Sequence, residues 1–165
     1  MVGLMEKSRI NRVDIPADFK AGSLNYIQQE QLDALKALIH DSYFQPFNDN
    51  HGPYDLALSI EESRLVIRMK NAISEDLSVL VLSLSPYRRL IQDYFLMIDS
   101  YERARHDHVT FERLEAIDMG RRGLHNEGAN LLRSRLKDKI EMDLETARRF
   151  FSLICLLTQR ASYLS

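Results

Sequence analysis

A chain of 165 residues with 22 basic and 24 acidic side chains, a formal charge of −2, has no bulk field to draw it onto nucleic acid or anionic lipid. Its length allows about 68–70% of the unfolded surface to be buried without help from a metal or disulfide. A content of 45% hydrophobic and 28% charged residues excludes a disordered composition. The single cysteine, Cys155, excludes an internal disulfide, and its apolar neighbours in residues 150–157 raise a thiol pKa, so it reads as packing. No apolar run reaches the ~18–20 residues of a membrane helix, and residues 1–9 lack the apolar core of a secretion signal. The expectation is a cytoplasmic protein with no nucleic-acid or membrane partner, residues 1–165 forming a single α+β domain.

In chain order, residues 9–15 predict a first strand, ended by Pro16. Residues 24–40 predict an amphipathic helix with Leu24, Ile27, Leu32, Leu35, Leu38 and Ile39 on one stripe and Ser23 as its N-cap. From Phe44 to Pro53 the period stops, which predicts a loop. Tyr54, Leu56, Leu58 and Ile60 then alternate with polar or small residues. Leu65, Ile67 and Met69 do the same after Glu61-Glu62-Ser63, the mark of a hairpin. Residues 77–84 supply a third strand with Leu80, Leu82 and Leu84 facing the core. An antiparallel meander with one apolar face requires a helical layer against it.

That layer begins at Ser85-Pro86, a cap residue before a proline at the first helical position, with Leu90, Ile91, Tyr94, Phe95, Ile98 and Tyr101 as its core stripe. Residues 103–109 break the pattern. Thr110 caps a helix running to about Lys139, and Asp143 caps a last helix whose 150–157 segment has Ser152 as its one clearly polar residue. A helix so apolar must be surrounded, either as the central helix or as half of a homodimer interface. The predicted order is β-α-β-β-β-α-α-α: a three-stranded antiparallel meander and an N-terminal strand against about four helices.

The stretch 114–136 breaks the rule the other helices obey. Leu114, Ile117, Leu124 and Leu132 keep helical spacing, yet Arg121 and His125 fall on the same stripe, and Gly120, Gly123 and Gly128 each cost ~1 kcal/mol relative to Ala. Close approach by another helix or backbone would justify the glycines. This stretch also carries a resemblance. Gly52-Pro53-Tyr54, Leu82 through Arg89, Asp93-Tyr94-Phe95, Glu115 through Gly128, and Thr146 through Phe150 with Leu153-Ile154-Cys155 resemble a bacterial family, uncharacterised protein family two-six-two of the UPF series. The resemblance spans residues 52–158 and implies a cytoplasmic bacterial protein. It carries no activity, cofactor or partner onto any residue.

Stepping the helix from Leu114 at ~100° per residue puts Asp118 near 40°, Arg122 near 80° and His125 near 20°, with Arg121 at about 340°. A carboxylate three or four positions from an arginine fixes it, and a histidine on that flank can titrate near neutral pH. Two readings stay open: an ion-pair network joining this helix to its neighbours, with Arg121 structural, or a ligand site containing Asp118, Arg122 and His125. Arg88 and Arg89 lie in the first turn of the preceding helix, where cations are disfavoured. They point to a nearby anion, either a phosphate or carboxylate ligand or the protein's own acids. His106-Asp107-His108, His40 and His51 read as solvated, so no metal or cofactor is expected.

Two functions follow. One is a non-enzymatic interaction or regulatory module, a homodimer that binds a small anion at the Arg/His cluster. The other is a small hydrolase or transferase acting on a phosphorylated or carboxylated metabolite with His125 as general acid or base.

Overall fold

The computed structural model describes residues 7–16 and 26–160. β1 (Ile10–Asp14) is followed by α1 (Tyr26–His40), β2 (Phe44–Pro46), β3 (Tyr54–Glu61), β4 (Arg64–Lys70), β5 (Leu80–Ser83), a 3₁₀ turn at Ser85–Tyr87, α2 (Arg88–His106), α3 (Phe111–Leu136), β6 (Ile140–Met142) and α4 (Leu144–Arg160). The main sheet has the order β1-β3-β4-β5. β3, β4 and β5 form the expected antiparallel meander, and β1 adds in parallel to β3. The β3–β4 link is two residues, Glu62 and Ser63, with φ of 53° and 63°, the mirror-image turn whose twist matches a hairpin.

Alternation decides the two faces of the sheet. Tyr54, Leu56, Leu58, Leu65, Ile67, Leu80 and Leu82 are buried on the helical side, while Arg64, Arg68 and Ser83 are exposed on the other. The helical layer is centred on α4, in which every residue from 150 to 158 is buried. Phe150 stacks on Phe44 with ring centroids 6.0 Å apart, and Phe44 meets Tyr54 at 6.0 Å. Each large apolar side chain so buried contributes roughly 1.5–3 kcal/mol. Asp143 caps α4 by accepting from the Thr146 N–H at 2.9 Å, and Arg149 donates to the carbonyls of Ala37 and Asp41 at the end of α1.

Four expectations need correction. Residues 44–46 do not belong to a loop: β2 pairs antiparallel with β6 in a second, two-stranded sheet. Three-residue strands are too short to show a period. Ile39 is 36% exposed, so the α1 stripe narrows to Leu32, Leu35 and Leu38, which pack on the core; Ser23, Leu24 and the side chain of Ile27 lie outside the described residues. Ser85 makes no side-chain cap, because the chain enters α2 through the 3₁₀ turn. Finally, α2 continues to His106 through the stretch where a break was expected, since its carbonyls are capped by the Asp107 N–H.

The three α3 glycines have different reasons. A Cβ on Gly128 would overlap the Phe151 ring of α4, and one on Gly120 would meet the Met97 methyl of α2, but one on Gly123 would meet nothing within 4 Å. Gly123 therefore permits no close approach, contrary to expectation. Gly128→Ala should cost about 1–3 kcal/mol by overpacking against a ring held in the core. Gly123→Ala should instead add roughly 0.5–1 kcal/mol through helix propensity. Urea denaturation of the two variants checks the opposite signs, and equal shifts would contradict the packing described.

Candidate functional site

α2 and α3 run antiparallel, joined by a short turn. Met97 lies beside Gly120, Tyr94 beside His125 at 5.0 Å between ring centroids, and the Arg121 guanidinium sits 5.8 Å from the centre of the Tyr101 ring. Thr110 starts α3 by accepting from the Arg113 N–H at 3.3 Å. The motif residues of α3 thus face α2 on one side and α4 on the other. This position follows from the leucine stripe on which Arg121 and His125 intrude.

Asp118 is the hub of the ion pairs. Its Oδ1 lies 2.6 Å from Arg121 Nη2 and its Oδ2 2.9 Å from Arg122 Nη2. The Arg121 side chain is 15% exposed and that of Arg122 66%. One arginine is therefore a packed member of the helix interface, and the other a solvated partner worth little as an ion pair.

His125 meets a serine and not the carboxylate. Its Nε2 is 3.1 Å from Ser152 Oγ of α4, which also lies 3.3 Å from the Arg148 carbonyl. A serine hydrogen-bonded to a histidine is the beginning of a nucleophilic centre, and it was not visible in the sequence because the two residues are on different helices. The surroundings remove that chemistry. Ser152 is buried in the middle of α4, the imidazole is walled by Tyr94 and the Phe151 ring at 6.0 Å, and both Asp118 oxygens are taken by arginines. Burial lowers the His125 pKa to about 4, aided by the positive charges of Arg121 and Arg148. The imidazole is neutral at pH 7 and does not titrate near neutrality as expected.

Arg88 and Arg89 lie elsewhere. Asp118 is level with about residue 100 of α2, twelve residues past Arg88, so roughly 18 Å of helix separates them at 1.5 Å per residue. Arg89 Nε is 3.9 Å from Asp93 with its side chain 93% exposed, and Arg88 is exposed. The candidate residues thus divide into a packed cluster of Asp118, Arg121, Arg122 and His125 and a separate solvated pair.

A cluster the sequence reading missed surrounds Asn71, which is buried at 3% exposure. Its side-chain amide donates to Asp49 Oδ1 and Glu75 Oε1, both at 2.9 Å, while its own oxygen accepts from the Ile73 and Glu75 N–H groups. Burial raises the Asp49 pKa, but hydrogen bonds from Asn71 and the His51 N–H outweigh it and leave the carboxyl below its usual value. The cluster borders an open cleft of about 500 Å³ lined by Pro46, Asp49, Met69, Asp76, Leu80 and Lys139 among others. An asparagine followed by a turn was the one available signal. Cys155 is fully buried and burial holds its thiol well above the ordinary pKa. Among the described residues no three His, Cys, Asp or Glu side chains converge to hold a metal ion, and no helix is long and apolar enough to cross a membrane.

Fold and motif together define a small α+β protein built around one buried helix, with its most distinctive residues set between helices. The chain belongs to the uncharacterised protein family UPF0262, whose profile matches residues 7–160. It is 45% identical to a UPF0262 protein of Phenylobacterium zucineum over 155 residues, 94% of this chain and 96% of the relative. It is 45% identical to relatives in Brucella anthropi over 150 residues, 90% and 93% of the two chains, and in Caulobacter vibrioides over 152 residues, 92% and 94%. No solved structure matches it.

The low pKa of His125 has a consequence for stability. The unfolded imidazole takes up a proton below about 6.5 and the folded one only below about 4. Between these values the unfolded chain binds more protons, so stability rises with pH through this window. The contribution is complete above pH 6.5 and lost as pH falls to 4, on the order of 3 kcal/mol at about 1.4 kcal/mol per unit. His125→Gln should flatten that part of the curve, measured by urea denaturation at stepped pH. Arg121→Ala should cost about 2–3 kcal/mol by leaving Asp118 Oδ1 without its packed partner, the solvated Arg122 alone remaining on the carboxylate, against less than ~1.5 for Arg122→Ala; similar losses would contradict the division between them.

Proposed function

We propose that this protein is a non-enzymatic interaction or regulatory module of the bacterial cytoplasm, and that residues 115–128 brace its helices and do not act on a substrate. The observation that carries this reading is that the motif's chemically capable groups are engaged inside the fold: Asp118 with Arg121 and Arg122, His125 with Ser152. The brace supports an outlying helical hairpin. No residue of α3 from Phe111 to Glu127 is fully buried, and Phe111, Met119 and Leu96 of α2 are 75%, 63% and 62% exposed. Large apolar side chains held out on a stiff element suit a protein contact. The hydrolase or transferase alternative needs His125 wet and titrating near neutral pH, which its pKa of about 4 opposes.

Two measurements separate the readings. A photo-crosslinking residue at Phe111 or Met119, introduced in cells, should trap one discrete protein where the same residue at exposed Lys137 does not; equal trapping at all three would remove the hairpin as the contact. Millimolar phosphate or a phosphorylated metabolite should leave the melting temperature unchanged in the parent, in Arg122→Ala and in Arg88→Ala/Arg89→Ala. A rise in the parent that disappears in those variants would make the arginines an anion site, by mass action on the folded state.

A further inference from the structure

The two edges of the main sheet are built differently. β1 carries Arg12 and Asp14, charges of the kind that keep an edge from pairing with another chain. β5 at the other edge has no such protection. From Leu77 to Ser85 there is no charged residue, glycine or proline, and Val79 and Val81 are 50% and 55% exposed.

Its backbone is open as well. The Leu84 N–H donates to the Ser63 carbonyl, and Leu82 and Leu80 pair with Leu65 and Ile67 of β4. In an antiparallel ladder, alternate residues point their N–H and C=O groups to opposite sides. The groups of Val81 and Ser83 therefore point away from β4, where no further strand lies among the described residues.

We propose that the free edge of β5 is a self-association surface: two copies pair antiparallel through residues 79–83, about a twofold axis at Val81, and continue one sheet across both. The occupant is a second copy because the edge is complementary to itself. Val81 meets Val81, each Val79 meets the opposite Ser83, and no like charges are brought together. Leu80 and Leu82 of both copies remain on the helical side, so the register keeps each core intact.

The charges beyond the strand also fit only this orientation. Glu75 and Asp76 precede β5, and Arg88 and Arg89 follow it. Antiparallel pairing carries the acidic end of each copy toward the basic end of the other, whereas parallel pairing would set like against like. Asp76 is 85% exposed, with Lys70 3.8 Å away; Arg89 holds Asp93 only at 3.9 Å, and Arg88 has no ion pair among the described residues. The paired residues 79–83 lie outside the hairpin of α2 and α3, so failure of the pairing would leave the reading of the motif untouched.

The test is the oligomeric state of the full chain, by light scattering and sedimentation from micromolar to millimolar concentration. The parent should reach the mass of two chains and go no further, because the charged β1 edge offers no second contact. High salt should weaken the dimer by screening its ends. Val81→Lys, which puts two ammonium groups opposite each other on the axis, should return it to one chain with an unchanged circular dichroism spectrum, and Arg88→Glu/Arg89→Glu should weaken it. Val81→Cys supplies a second readout: paired residues in this ladder sit about 5.5 Å apart, within reach of a disulfide. Mild oxidation should link it far faster than Leu96→Cys on α2, with buried Cys155 silent. A parent of one-chain mass at every concentration, a dimer undiminished by Val81→Lys, or equal linking of the two cysteine variants would overturn the proposal.

Discussion

A helix without a wet face must be enclosed, and in this protein that requirement falls on α4. Phe150, Phe151, Leu153, Ile154, Leu156 and Leu157 point in all directions around the helix and all are buried. Phe150 is met by Phe44, Phe151 by Tyr94 and the bare backbone of Gly128, and the first turns by α1 through Arg149. The positions of the other helices are replies to this one. The apolar excess in residues 150–157 that pointed to a homodimer is accounted for within the chain, so it supplies no interface.

The polar motif takes its meaning from the same constraint. Arg121 and His125 interrupt the apolar stripe of α3 because at those levels α3 is gripped between Tyr94, Tyr101 and Ser152. A neutral histidine hydrogen-bonded to a serine, flanked by two aromatic rings, is a specific joint between helices that leucine would not reproduce. Distinctive sequence and reactive chemistry are therefore separable. A motif can be unusual because three helices must meet in one register.

Elements with long, regular periods were legible in the sequence. The alternation of Tyr54, Leu56 and Leu58 and of Leu65, Ile67 and Met69 gave the meander, and Thr110 and Asp143 act as the caps their positions predict. What could not be read depends on partners distant in sequence. β2 and β6 are defined only by each other across some ninety residues. The contact between His125 and Ser152 crosses two helices, and Gly123 differs from Gly128 only in what stands opposite. Angular position put Asp118 and Arg122 on one flank, where they pair, but it grouped His125 with them and set Arg121 apart as structural, whereas Arg121 joins Asp118 and His125 joins Ser152. It had no means of finding the distance to Arg88 and Arg89 on another helix.

The order of these elements along the chain sets a problem of timing. β1 through α3 leave the ribosome before α4, the helix they enclose, and at about 5–20 residues per second the interval lasts seconds. In that interval the inner face of the meander and the inner flank of α3 have only each other to cover them. Among the paired strands the β2–β6 ladder closes the longest loop, a step that loses chain entropy before it gains contacts, and β6 immediately precedes Asp143 and the start of α4. Three-residue strands add little stability by themselves. Their position delivers the last helix, already capped, to the mouth of a groove that is otherwise complete.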